Sequence, residues 1–282
     1  MRYLVSLLLP LPFCCLLEAQ PAVCTQDTVT GTYALVTQGT MLLPVAGQTS
    51  AVPAIALGLL SIDPDGTIAG QAVMSIGGDI IRSPWPGAIQ VNADCTAAVV
   101  WAGGTAGTAV IQEEGREIRS IMTQSASGKG IVWGQWKRIS RVPASVEPAQ
   151  CSPASVYGVY AANYSGTQIG TPPGGTGVAA IPTVMIGLVS IDYKSQIDGG
   201  GTLSLGGDTL PFRYKGTVAV NPDCSAVTKM TTAAGPLTND GTGWMVVLDG
   251  GNELWSLPTE SNAGKSIVFG TWKRISPLLP GK

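Results

Sequence analysis

The chain has 282 residues, a net charge of −2 and no histidine, with 12% of its residues charged, 37 glycines and 20 prolines. The charge balance lacks the clustered Lys/Arg that nucleic acid or an anionic membrane surface requires. The missing imidazole excludes Ser-His-Asp and Cys-His catalysis and His-ligated metals.

Residues 1–3 carry one positive charge and precede an apolar run from Leu4 to Leu17, too short to span a bilayer as a helix. This pattern predicts a signal peptide over residues 1–19, cleaved after Ala19 with Ala22 as the second choice. It would remove Cys14 and Cys15. No later stretch offers ~20 consecutive apolar residues, so the mature chain is expected to be secreted or periplasmic, with no membrane span.

Beyond Cys24 the alternation of short apolar runs with Gly, Pro and Asp predicts strands at 29–37, 54–62, 67–76, 86–92, 96–102, 107–113, 116–123 and 130–139. Asp63-Pro64-Asp65-Gly66 has the residue placement of a tight turn, and Glu113-Glu114-Gly115-Arg116 reads as a hairpin tip. Connections this short exclude crossover helices, so neighbouring strands pair antiparallel. Closure on themselves frees such strands from an exposed edge, which predicts a small eight-stranded barrel. A two-sheet sandwich suits the same strand count.

Residues 141–150 hold two prolines and read as a semi-stiff spacer. The chain then repeats itself. Residues 51–63 return at 180–192, Val91-Asn92-Ala93-Asp94-Cys95 returns as Val220-Asn221-Pro222-Asp223-Cys224, and Gly134-Gln135-Trp136-Lys137-Arg138 returns as Gly270-Thr271-Trp272-Lys273-Arg274. The fold expected is therefore all-β, with two tandem barrels over 24–140 and 151–276.

Four cysteines remain after export, one pair per copy at matching places. A module duplicated as a unit carries its bridge within itself, which selects Cys24–Cys95 and Cys151–Cys224 from three possible connectivities. No Cys-x-x-Cys spacing supports zinc, and neither a metal nor a cofactor is expected.

The carboxylates Asp63/Asp192, Asp94/Asp223 and Glu117/Glu253 occur in both copies. The aspartates are expected to cap their own turns and the glutamates to sit on exposed strand edges. Gly264-Lys265-Ser266 matches the end of a P-loop by chance, since Thr259 stands where that motif needs Gly. Asn163-Tyr164-Ser165 is a formal glycosylation acceptor. The candidate ligand-binding residues are Trp136, Arg138, Trp272 and Arg274. Alternation puts Trp and Arg on one face and Lys on the other, so each Trp–Arg pair either stacks to close one end of a barrel or lines a pocket. No catalytic residue stands out.

The run Gly-x-Leu-x-Ile-Asp-x-x-Gly, residues 87–96 with their Val-Asn-x-Asp-Cys element, the segment 114–118 and the terminal Gly-x-Trp-Lys-Arg resemble a group of uncharacterised secreted bacterial proteins. Their pattern reads Gly-Thr-Tyr-x-Val-Asn-x-Asp-Cys-Thr-Gly-Thr. This chain departs from it at Ala88-Ile89, Thr217-Val218 and Ala97-Ala98. The group looks like barrels of the allene oxide cyclase and lipocalin type, which implies closure and carries over no activity or site residue. Three functions fit: a binding or surface protein for a small apolar ligand or an extracellular macromolecule, a cyclase- or isomerase-like enzyme, and a structural coat component.

Overall fold

The computed structural model describes residues 23–45, 48–125, 128–147, 149–171, 176–235, 237–262 and 264–277, so the expected signal peptide, with Cys14 and Cys15, lies outside the described residues. The chain is nearly all β, in two closed antiparallel eight-stranded barrels. The first copy runs from a four-residue helix, α1 (Gln26–Val29), through β1 (Gly31–Val45), β2 (Gln48–Ile62), β3 (Thr67–Ile76), β4 (Asp79–Pro84), β5 (Gly87–Val91), β6 (Thr96–Trp101), β7 (Thr105–Gln112), β8 (Glu117–Gln124) and β9 (Lys129–Ser140). The second contains β10 (Gly158–Gly170), β11 (Ala179–Ile191), β12 (Gln196–Leu205), β13 (Asp208–Val220), β14 (Ser225–Ala234), β15 (Leu237–Leu248), β16 (Glu253–Ser261) and β17 (Lys265–Ser276).

Each barrel closes where its first strand pairs with its last, β1 with β9 and β10 with β17. In the first barrel β4 and β5 together occupy the place that β13 holds alone. The prolines of Pro84-Trp85-Pro86 cannot donate to a ladder. β3 therefore pairs with β4 from Gln71 to Ile76 and with β5 only at Thr67 and Ile68, while the Trp85 amide bridges the break by donating to the Gly70 carbonyl at 2.9 Å.

The first hairpin is longer than the sequence suggests. Residues 38–45 and 48–53, rich in Gly, Pro, Gln and Thr, lie outside the expected strands yet extend β1 and β2, with Pro44 opposite Thr49 and Thr40 opposite Pro53. The Asp-Pro-Asp-Gly turn closes through Gly66 N–H to the Asp63 carbonyl at 2.9 Å. In the spacer the Ala144 amide donates to Ser61 Oγ at 2.9 Å, and Thr32 Oγ1 donates to the Val142 carbonyl at 3.2 Å, so this segment is bound to the first barrel.

Alternation buries both faces of several strands. Inward residues such as Tyr33, Leu35, Leu60, Ile118 and Trp136 fill the first barrel. Outward residues Val36, Ile55, Leu57, Leu59 and Val73 pack against Trp244, Val246, Trp255, Leu257, Ile267 and Phe269 on the outer wall of the second. This cluster joins the two barrels. Polar contacts flank it: Lys137 pairs with Glu253 and, at 3.1 Å, with Asp249, Lys265 pairs with Asp79, and Ser75 Oγ donates to the Ser266 carbonyl at 2.8 Å.

The disulfides join Cys24 to Cys95 and Cys151 to Cys224 across sequence separations of 71 and 73. Each ties the segment before the first strand to the Val-Asn-x-Asp-Cys turn, whose cysteine adopts positive φ, 64° and 68° respectively. Closing loops of that length stabilises a domain by about 4 kcal/mol in the chain-entropy model. Replacing Cys24 and Cys95 together with serine is expected to lower the unfolding free energy by about that amount, read as a lower denaturation midpoint in urea followed by tryptophan fluorescence.

Candidate functional site

At the closed end of the first barrel, Arg138 does not stack on Trp136. Its guanidinium lies over the Tyr33 ring, 5.3 Å from the centroid, and donates to Tyr33 Oη at 2.8 Å and to the carbonyls of Thr28 and Glu114. Tyr33 Oη in turn donates to the Gly115 carbonyl at 2.7 Å. The second copy repeats this lock with Arg274 on Tyr160, whose hydroxyl reaches Gly251. Glycine is required at both tips: Gly115 and Gly251 have φ of 77° and 90°, and a Cβ there would fall 1.9 and 1.6 Å from the carbonyl oxygens of Thr28 and Ser155. Tyr33 and Tyr160 are the residues missed in the sequence, although their identical spacing after Gly31 and Gly158 was a visible signal.

The repeated carboxylates divide. Asp94 and Asp223 accept hydrogen bonds from Thr96 and Ser225 within their own turns, and those from the Thr96 hydroxyl and amide hold the exposed Asp94 carboxyl below its ordinary range. Glu117 and Glu253 are not exposed edge groups, because Glu117 pairs with Arg119 and Glu253 binds Lys137 and the Trp255 indole. Burial opposes the charge on Lys137, but Glu253 and Asp249 outweigh it and raise the lysine above its ordinary value.

Above the lock the two interiors differ. The first barrel holds a cavity of about 350 Å³, lined by Leu35, Thr37, Met41, Met74, Ile76, Trp85, Trp101, Val99, Ser120, Met122 and Trp136 among others, with no charged residue and no tyrosine among the described residues of its wall. Trp85, Trp101 and Trp136 form a stack with centroid spacings of 5.0 and 5.5 Å. Trp136 Nε1 donates to Ser120 Oγ at 3.0 Å. β8 and β9 part beyond the Ile121–Trp133 pair, and both of these residues border the cavity at that seam.

In the second barrel the corresponding space is occupied by side chains. Tyr164 stands where the first copy has Thr37, and Phe212 where it has Ser83. The Tyr164 ring lies over Gly270, and its hydroxyl inserts between Trp272 Nε1 at 2.8 Å and Ser256 Oγ at 3.2 Å. Phe212 stacks on Tyr214 at 5.4 Å. Of the four predicted binding residues, Trp136 lines the cavity. Arg138 and Arg274 lie in the locks, and Trp272 lies in the filled interior. Among the described residues no group of His, Cys, Asp or Glu is placed to hold a metal, and no helix is long and apolar enough to cross a membrane.

Fold and site thus define a tandem pair of barrels, one hollow and one filled. No family model matches the chain, and no curated protein does. Similar solved structures include a protein of unknown function from the DUF3598 family of Nostoc punctiforme, with 12% identity, 89% of this chain and 100% of that chain covered, and a TM-score of 0.26. An AttH-like protein from Nitrosomonas europaea has 10% identity, coverage of 94% and 99%, and a TM-score of 0.26. CghA has 8% identity, coverage of 87% and 89%, and a TM-score of 0.24. Likenesses this distant carry no residue role or activity to this chain.

Burial raises the Tyr33 phenol against the opposing pull of Arg138, and raises that of Tyr164, each to about 12 from an ordinary 10.0. The folded chain holds these protons more tightly than the unfolded chain, so their contribution is complete below pH 10.0 and is lost as pH rises towards about 12. Tyr33→Phe is expected to cost roughly 1–3 kcal/mol at neutral pH by leaving the Gly115 carbonyl unpaired. It should also flatten the alkaline fall in stability, measured by urea denaturation across that pH window.

Proposed function

We propose that this is an exported binding protein whose first barrel takes up a small, uncharged, apolar molecule. The observation that carries the reading is the cavity of about 350 Å³ walled by aliphatic side chains and a stack of three tryptophans. Its volume falls within the ~300–1,000 Å³ typical of small-molecule sites. A wall without formal charge gives no reward for desolvating an ionic ligand, whereas apolar surface transferred from water gains roughly 25 cal/mol per Å². Thr37 and Ser120 supply hydroxyls for a single polar group on the guest. A cyclase or isomerase would need an acid or base at the reacting atom, and the wall offers no carboxylate, tyrosine or lysine for that role. Two disulfides accord with an oxidising, secreted or periplasmic setting.

The second copy supplies the test. Thr37→Tyr puts into the first barrel the side chain that fills the second, and Gly134, the counterpart of Gly270, leaves room for its ring. The variant is expected to fold and to place its hydroxyl between Trp136 and Ser120. Titration with the neutral fluorophore N-phenyl-1-naphthylamine should give saturable binding to the native chain and at least about tenfold weaker binding to the variant, a loss of ~1.4 kcal/mol or more. Binding that is unchanged in Thr37→Tyr, or that never saturates in the native chain, would overturn the reading.

A further inference from the structure

The contact between the two barrels uses one face of the first and a different face of the second, so the duplication leaves one copy of each face without its partner. On the first barrel the contributing outward residues of β2 are Ile55, Leu57 and Leu59. Their counterparts on β11 of the second barrel are Val184, Ile186 and Leu188, which remain apolar and are 48–58% exposed. On the second barrel the receiving face includes Val246, Leu257, Ile267 and Phe269. Their counterparts on the first are Val110, Ile121, Ile131 and Trp133, again all apolar and exposed by 44–79%.

The flanking charges are duplicated with the same signs. Lys137 pairs with Asp249 and Glu253 in the internal contact. The matching positions on the unpartnered faces are Lys273, Glu113 and Glu117. Asp79 pairs with Lys265, and the matching positions are Asp208 and Lys129, both exposed. An apolar strip and flanking charges of matching sign therefore recur on faces that no part of the described chain covers, with Glu113 and Glu117 there paired to Arg116 and Arg119 of their own barrel.

We propose that the outer β11 face of one molecule docks on the outer β7–β9 face of a second copy of the same chain, repeating between molecules the contact that joins the two barrels within one. The occupant is another copy because each free face carries the complement of the other and both belong to one polypeptide. Such a contact is head-to-tail, so the assembly is a closed ring if the rotation between successive barrels closes and a filament if it does not. The free faces are more polar than the internal ones: Asn163 and Thr202 replace Val36 and Val73, and Thr108 and Arg119 replace Trp244 and Trp255. The association is correspondingly weaker than the covalently tethered internal contact, and reversible. This inference does not depend on the cavity being occupied.

The mature chain, studied by sedimentation velocity from micromolar to several hundred micromolar, should gain mass with concentration, and added salt should reduce the gain by screening the flanking pairs. Ile186→Asp and Ile131→Asp each place a charge on one exposed face and should weaken association roughly tenfold or more, while unchanged circular dichroism shows that the barrels are folded. A chain carrying Asp208→Cys mixed with one carrying Lys129→Cys should be joined in pairs by a short bifunctional maleimide, whereas either chain alone should be joined far less. Constant one-chain mass, association unaffected by both aspartate variants, or cross-linking no greater in the mixture than in the separate chains would each overturn the proposal.

Discussion

Pairing of the first strand of each copy with its last is the constraint on which the rest of the molecule depends. It fixes which face of the closing strand turns inward, and the repeated Trp-Lys-Arg then does three different things at adjacent positions. Trp136 enters the barrel, Lys137 points out to the neighbouring barrel, and Arg138 ties the strand end to α1, Tyr33 and the hairpin tip at residues 113–115. A strand has a side-chain period of two, so a slip of one residue would exchange the indole and the ammonium. The slip would put an uncompensated charge inside and a large apolar ring outside, which is how the local triplet enforces the global register.

With the frame held in this way, interior volume becomes free to vary. The two copies keep the tryptophan, the glycine two residues before it and the serine opposite that glycine, as Trp136, Gly134 and Ser120 in one and Trp272, Gly270 and Ser256 in the other. Whether the space above is empty turns on a few side chains, chiefly Thr37 against Tyr164. The tyrosine satisfies its buried hydroxyl by entering the existing Trp–Ser hydrogen bond, so filling leaves no donor or acceptor of that pair stranded. The hollow version instead has a direct Trp136–Ser120 bond. Both arrangements keep the buried indole N–H and the serine hydroxyl paired.

Much of this was legible in the sequence, because the repeat doubled every weak local signal. The all-β class, the closed barrels, the strand order and the two bridges follow from spacing and turn chemistry. The long arms of β1 and β2 did not emerge, since Pro44 and Pro53 argue against a strand and those residues are held extended by pairing distant in sequence, the arms to each other and residues 38–42 also to β9. β4 was hidden for the same reason, its end being marked by Pro84 and Pro86. Alternation placed Trp136 and Arg138 on one face but could not name the partner of the arginine, because Tyr33 is distant in sequence and adjacent only through closure. The cavity was not readable, since it reflects the sum of side-chain volumes around a ring and not any one motif. The burial of Ile55, Leu57 and Leu59 gave no signal of its own either, because an outward apolar stripe looks the same in sequence whether a neighbour covers it or not.

That last ambiguity bears on stability. A barrel with an unfilled interior forfeits dispersion contacts around the void, and the first copy has the added interruption of its wall between Pro84 and Gly87. The same copy is the one whose outer wall is buried, on β1, β2 and β3, against the tryptophan-rich face of the second. Each fully buried leucine or isoleucine there contributes roughly 1.5–3 kcal/mol, so the filled barrel supplies the hollow one with an external core in place of part of its internal one. The two copies thus divide the labour within one chain. One copy has a packed interior and an aromatic outer face that serves as a support, and the copy resting on that support has an open interior within a closed wall.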